Sequence, residues 1–280
     1  MEQQTFMNLM RLVPKSALSN AVGMATRFPA PASMHHAAIR IFARRYRINL
    51  EEAEGRIEDY PTLGQFFTRR LKPGMRQIDP APDAIVSPVD GAVSQVGKVF
   101  VGECLQAKGI SFPVDKLLGD PKEAARFEDG TFATLYLAPK DYHRIHSPLE
   151  GEITGYNYLP GKFWPVNPAS VNTTDALFAI NERLVTYLKT DLGQVAVVAV
   201  GATCVSRIHA SYDAILTHTG QPARAHKYDR PIPISRGGEL GMFEMGSTVI
   251  LLFQKGKIAW DPKLSPDVVV RLGERIGRRL

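Results

Sequence analysis

The chain is 280 residues long, 44% hydrophobic and 22% charged, a composition that excludes a disordered chain and describes a folded core. No run approaches the roughly 20 apolar residues of a spanning helix, and Glu2, Gln3 and Gln4 precede apolar periodicity too broken for a secretory signal, so the expectation is a cytoplasmic protein that spans no membrane. Cys104 and Cys204 stand too far apart for a disulfide framework and lack metal-ligand spacing, while the net charge of +6 suits an anionic partner, either nucleic acid or a lipid surface.

In chain order, the first fifty residues read as three short amphipathic helices. Phe6, Leu9, Met10 and Val13 share one face before Pro14. Leu18, Ala21, Val22, Ala25 and Phe28 form a second stripe, closed by Pro29 and Pro31. From Ser33 to Arg47, Ile41 and Phe42 lie beside a basic stripe of Arg40, Arg44 and Arg47, with His35 and His36 expected on an exposed face. Apolar faces with basic flanks suit an interfacial membrane anchor; a helical cap on the domain or a dimer contact uses the same pattern. A further helix is predicted over Leu63–Leu71, ahead of the Pro73-Gly74 break.

From Ile85 the texture turns to β. The predicted strands are Gly91–Val101, Thr131–Leu137, Gly151–Leu159, Leu177–Ile180, Arg183–Leu188, Gln194–Arg207 and Thr248–Phe253, with Asn181-Glu182 as a hairpin turn and a short helix near Val114–Leu118. The fold class is thus α+β: N-terminal amphipathic helices (residues 1–50), then a β-rich catalytic body (51–280). Ser87-Pro88-Val89-Asp90-Gly91 is echoed by Ser147-Pro148-Leu149-Glu150-Gly151, which suggests duplicated β halves with glycine at positive φ before each strand. Such openings also resemble those of biotinyl- and lipoyl-type modules, a reading without catalysis.

Three features can carry chemistry. Asp90 sits at a loop-to-strand junction, His143 and His146 fall in Tyr142–His146, and Met245-Gly246-Ser247-Thr248 leads into the apolar run Val249–Phe253. Taken singly they read as a turn, a structural pair and a strand start. The serine is not in a Gly-x-Ser-x-Gly elbow.

Together they resemble one family. Gln65–Gly74, Ser87–Val93, Lys108-Gly109 with Leu117–Gly119, Tyr142–Pro148, Asn181–Arg183, Val200–Thr203 and Glu239–Phe253 are similar, in order, to segments of bacterial phosphatidylserine decarboxylase proenzymes. The one departure noted is Met245, where the family usually has Leu.

The resemblance implies self-cleavage between Gly246 and Ser247, with Ser247 as nucleophile, His146 as base and Asp90 orienting the imidazole. It implies a pyruvoyl group made from Ser247 that forms a Schiff base with substrate, with no external cofactor and no metal. His143 is the candidate acid that returns a proton to the substrate carbon. The implied partners are phosphatidylserine in the bilayer and an anionic membrane surface, not nucleic acid, for a peripheral homodimer on the cytoplasmic face of the membrane. A serine esterase using the same three side chains is the other enzymatic reading.

Overall fold

The computed structural model describes residues 14–28, 30–107, 109–203, 207–244 and 247–280. The first predicted helix, the Gly246–Ser247 junction on its Gly246 side, and Cys204 lie outside them.

The second and third predicted helices are present as α1 (Lys15–Arg27) and α2 (Ala32–Tyr46). In α1 the small residues Ser19, Gly23 and Thr26 face inward. Of the apolar stripe, Leu18 is 37% exposed and Phe28 64%, while Val22 is half-buried; Met24, outside the stripe, is 63% exposed. α2 buries Ile39 and Ala43 while Met34 and Ile41 stay exposed. His35 differs from the expectation: it is buried, its Nε2 at 2.9 Å from the Phe28 carbonyl, where it closes the turn between the two helices. α3 (Leu63–Phe67) is shorter than expected, because Thr68 turns its hydroxyl back onto the Gly64 carbonyl. Ile39, Ala43, Ile48 and Phe66 form a small core of their own, so residues on both sides of position 50 build it.

The β body contains β1 (Ala84–Val86), β2 (Gly91–Lys98), β3 (Glu103–Ala107), β4 (Ile110–Pro113), β5 (Thr131–Leu137), β6 (Arg144–His146), β7 (Gly151–Leu159), β8 (Arg183–Thr190), β9 (Gly193–Val200), β10 (Ile208–Ala210), β11 (Arg224–Ile234), β12 (Glu239–Phe243), β13 (Ser247–Phe253), β14 (Ile258–Trp260), β15 (Val269–Val270) and β16 (Arg275–Arg279). Among the described residues eight of these make one antiparallel sheet, ordered β11-β7-β8-β9-β13-β5-β2-β15. A smaller sheet, β10-β12-β6, brings the histidine motif beside the chain that leads to Ser247. Every residue of β13 is buried, as its unbroken apolar run requires for a strand covered on both faces.

Two sequence expectations are corrected. Leu177–Ile180 is one turn of helix, not a strand, and Asn181-Glu182 joins that turn to β8 instead of closing a hairpin. A four-residue apolar run fits a buried turn as well as a strand, and here Leu177 and Phe178 fill the core from it. The strand expected over Gln194–Arg207 ends at Val200.

The echoed loops are structurally equivalent. The Ser87 hydroxyl donates to the Val89 carbonyl, and the Ser147 hydroxyl to the Leu149 carbonyl. The two loops also bond each other, Val86 N–H to the Pro148 carbonyl and His146 N–H to the Pro88 carbonyl. The role of glycine differs from the expectation, since neither Gly91 nor Gly151 has positive φ. A Cβ at Gly91 would stand 2.5 Å from the Tyr136 carbonyl oxygen, and one at Gly151 2.5 Å from that of Lys189, so both are glycine for close strand approach. Among the described residues no helix is long and apolar enough to cross a membrane.

Candidate active site

The site is assembled by one run of chain. β5 ends at Leu137, directly opposite Ser247 in β13. A tight turn follows, closed by Asp141 N–H to the Ala138 carbonyl and Ala138 N–H to the Asp141 carboxylate, and it delivers His143 and β6. β6 pairs with β12, and the Phe243 N–H donates to the His143 carbonyl at 2.9 Å. β12 then leads back towards Ser247. On the far side of β5, the close approach of Gly91 to Tyr136 places Asp90 across that strand from Ser247.

Ser247 is wholly buried, and its Oγ has no hydrogen-bond partner among the described residues. An unpaired buried hydroxyl costs about 1–3 kcal/mol, and such an orphan requires a chemical explanation.

His143 is also completely buried, with neither ring nitrogen hydrogen-bonded among the described residues. Its ring stacks on Phe67 of α3, with centroids 4.0 Å apart and planes at 24°. Burial drives its pKa down to about 3, and the Arg69 guanidinium pushes the same way. Arg69 is itself buried, donating from Nη2 to the Lys140 and Asp141 carbonyls of the turn. His143 is therefore neutral at neutral pH.

His146 has defined bonds. Nδ1 lies 2.8 Å from the Gly237 carbonyl, which can only accept, so Nδ1 carries the proton and Nε2 the lone pair. The Tyr142 hydroxyl faces Nε2 at 3.3 Å, and burial raises the phenol pKa to about 12, so it remains a donor. Burial lowers the His146 pKa, with the Gly237 carbonyl partly offsetting it.

Asp90 is where the geometry departs from the sequence expectation. Its carboxylate accepts from Arg76 Nε at 2.8 and 3.0 Å and from the Leu272 N–H at 2.9 Å, with Arg76 also bound to Glu52. No hydrogen bond joins Asp90 to His146, and the acceptor on Nδ1 is the Gly237 carbonyl instead. Gly237 holds that position at φ +78°, where a Cβ would meet Ile78 at 2.6 Å. Gly237, Tyr142, Phe67 and Arg76 thus complete the surroundings. The only sequence sign of Gly237 was a Gly-Gly pair, which reads as a turn.

A cavity of about 290 Å³ is lined by Leu137, the residue paired with Ser247 in the sheet, by Tyr136, Pro139 and Phe67, and by Val22 and Phe42 of the N-terminal helices; like the larger ones below, it is lined by none of the four candidates. A polar cavity of about 180 Å³ holds Asp90, Tyr142, Arg69 and Arg76. Larger cavities of about 380, 440 and 760 Å³ are lined by none of the four candidates.

Comparison with known proteins shows the family. The sequence profile of the family described as phosphatidylserine decarboxylase matches residues 63–278. The chain belongs to the phosphatidylserine decarboxylase family. Its members are carboxy-lyases, and this chain is an enzyme of that class. It is 61% identical over 277 residues to the phosphatidylserine decarboxylase proenzyme of Myxococcus xanthus (strain DK1622), covering 99% of each chain. It is 56% identical over 280 residues to that of Anaeromyxobacter sp. (strain K), again covering 99% of each. The proenzyme of Acinetobacter baumannii (strain AYE) is 42% identical over 281 residues, covering 100% of this chain and 98% of its own.

Proposed function

We propose that this chain cleaves itself between Gly246 and Ser247, forms a pyruvoyl group from Ser247, and decarboxylates phosphatidylserine to phosphatidylethanolamine at a membrane surface. The observation that carries this reading is the Ser247 hydroxyl: buried, without a hydrogen-bond partner among the described residues, and next in sequence to Gly246.

His146 presents a basic Nε2 because Gly237 fixes its proton on Nδ1. In self-cleavage the Ser247 hydroxyl proton goes to Nε2 as Oγ attacks the Gly246 carbonyl carbon. The proton then passes to the departing Ser247 nitrogen as the C–N bond breaks, leaving an ester. Loss of the Ser247 α-proton breaks the Cβ–Oγ bond and releases Gly246 as a carboxylate. The resulting enamine tautomerises, water adds, ammonia leaves, and a ketone remains. Asp90, held by Arg76, supplies negative charge on the same side as His146 and favours its protonated form during transfer.

The residues fit the product group. Because Ser247 Oγ makes no hydrogen bond among the described residues, its elimination breaks none of theirs. The pyruvoyl carbonyl supplies an electron sink for the pair released with CO₂. His143 remains the candidate to return a proton to the substrate carbon; its neutral ring must first take one up on its free nitrogen, against the burial that lowers its pKa.

The exposed apolar residues of α1 and α2, beside exposed Arg40, Arg44, Arg45 and Arg47, support peripheral membrane contact at the cytoplasmic face. Homodimerisation is carried by the family resemblance and is read by the mass of the native particle. With phosphatidylserine vesicles the wild-type chain is expected to release CO₂, and Ser247→Ala is expected to stay one polypeptide without turnover. Turnover by Ser247→Ala at the wild-type rate contradicts the reading.

A further inference from the structure

Glu244 is the last described residue before the scissile pair, and two separate segments, the start of β10 and the end of α1, converge on it. Its N–H donates to the Arg207 carbonyl at 3.0 Å. One carboxylate oxygen faces His209 Nε2 of β10 at 2.8 Å, and the other accepts from Arg27 Nη1. The side chains of Glu244 and Arg27 are 15% and 34% exposed, so the pair is shielded more than an ordinary surface ion pair.

Arg27 is the last residue of α1 and comes from 217 positions away in sequence. The same helix end packs on α3, where a Cβ at Gly64 would stand 3.3 Å from the Thr26 carbonyl, and Val22 of α1 lines the same cavity as Leu137, the residue paired with Ser247. Downstream, Ser247 is fixed in register against Leu137, and Thr248 against both Tyr136 and Val200. The described residues on either side of the scissile peptide are therefore both anchored. One anchor is the sheet, and the other is a carboxylate held by an N-terminal helix.

We infer that Arg27 and Glu244 form a latch through which docking of helix α1 positions the Gly246–Ser247 peptide for self-cleavage. Both are positioning residues, since neither touches the reacting atoms. The inference rests on the self-cleavage proposed above and goes beyond it, because it makes maturation depend on the N-terminal helix. The physical reason is geometric. Attack needs the nucleophile about 3–3.5 Å from the carbonyl carbon and aligned with it, and a misplacement of about 1 Å can slow a reaction on the order of a hundredfold. Freezing the backbone of each residue in a short span costs about 1–2 kcal/mol. A span anchored at both ends has that cost met by folding, before the reaction starts. A released upstream end leaves the Gly246 carbonyl to wander while Ser247 stays fixed in the sheet.

The test follows newly made full-length chain by cell-free synthesis and denaturing gels, timing conversion of precursor to product. Arg27→Glu and Glu244→Arg are each expected to lengthen the precursor half-life about tenfold, a coupling of the size that contacting charged residues show. Arg27→Lys, which keeps the charge, is expected to stay within about threefold of wild type, and so is the double exchange Arg27→Glu with Glu244→Arg. Rescue by the exchange separates positioning from loss of fold, because two independent destabilising changes do not repair each other. Conversion of Arg27→Glu at the wild-type rate overturns the latch, as does a double exchange no faster than the slower single variant. A wild-type precursor that never converts contradicts self-cleavage itself, whereas a wild type and an Arg27→Glu chain that convert equally fast contradict only the latch.

Discussion

Phe67 lies flat on His143, ring centroids 4.0 Å apart, in a stack with no solvent on either face. The contact joins the helical N-terminal part to the histidine proposed to return the proton. Phe42 of α2 in turn meets Phe67 edge-on at 6.1 Å, so an apolar relay runs from α2 to the site. Replacing Phe67 by Ala is expected to destabilise the protein by about 3–5 kcal/mol through the cavity left behind. Phe67→Leu is expected to cost less and to lower turnover per pyruvoyl group while leaving self-cleavage complete. Denaturant midpoints and CO₂ release from matured protein check the two halves.

The low pKa of His143 has a stability consequence. The ordinary imidazole value is 6.5 and the folded value about 3, so the unfolded chain binds a proton at this position before the folded chain does. Its contribution is fully present above pH 6.5 and is lost progressively as pH falls towards 3, reaching on the order of 4 kcal/mol. Stability measured from pH 8 to pH 4 is expected to fall less steeply in His143→Phe. Parallel curves for the two proteins would remove the assignment.

In the proposed self-cleavage His146 is the base, so it is expected to set the pH dependence. The reaction needs Nε2 unprotonated, and burial holds the pKa below the ordinary imidazole value. The cleavage rate is therefore expected to fall on acidification with a midpoint below 6.5. A single-turnover precursor assay across pH measures that midpoint directly.

Arg76 and Asp90 form a buried pair, each side chain 9% exposed. Removing one partner strands a charge, so Arg76→Met is expected to destabilise by about 3–5 kcal/mol. Asp90→Asn added to it is expected to recover much of that loss, since the stranded carboxylate is gone. Thermal unfolding of the single and double variants in a Ser247→Ala background reads this without interference from cleavage.

Periodicity made the helices legible, because α1 and α2 each carry a repeat long enough to show its period, while β13 was legible as an unbroken apolar run. It failed at Leu177–Ile180, where four apolar residues set no period and burial of Leu177 and Phe178 chose a helical turn. The Ser-Pro-x-acid-Gly echo was visible, but not its reason: Gly91 and Gly151 answer to neighbouring strands and not to their own φ. The candidate residues of the site were found as motifs. Their partners were not, since the Gly237 carbonyl lies 91 positions from His146 and Arg76 is one arginine among many until the fold sets it on Asp90. Long-range pairing leaves no local pattern to read.

Outward-facing Met24, Phe28 and Ile41 are 63%, 64% and 68% exposed, and each can give about 1.5–3 kcal/mol on burial in an acyl layer. Changing all three to Ser is expected to weaken binding to vesicles containing anionic lipid at least a hundredfold while sparing self-cleavage. Raised salt is expected to weaken the wild type through Arg40, Arg44, Arg45 and Arg47. Vesicle co-sedimentation measures both effects.

The central claim is the fate of the bond between Gly246 and Ser247, and intact-mass analysis of the purified wild-type chain reads it directly. The expected result is two polypeptides, one ending at Gly246 and one beginning with a pyruvoyl group in place of Ser247. A single uncut polypeptide with an ordinary Ser247 contradicts the account.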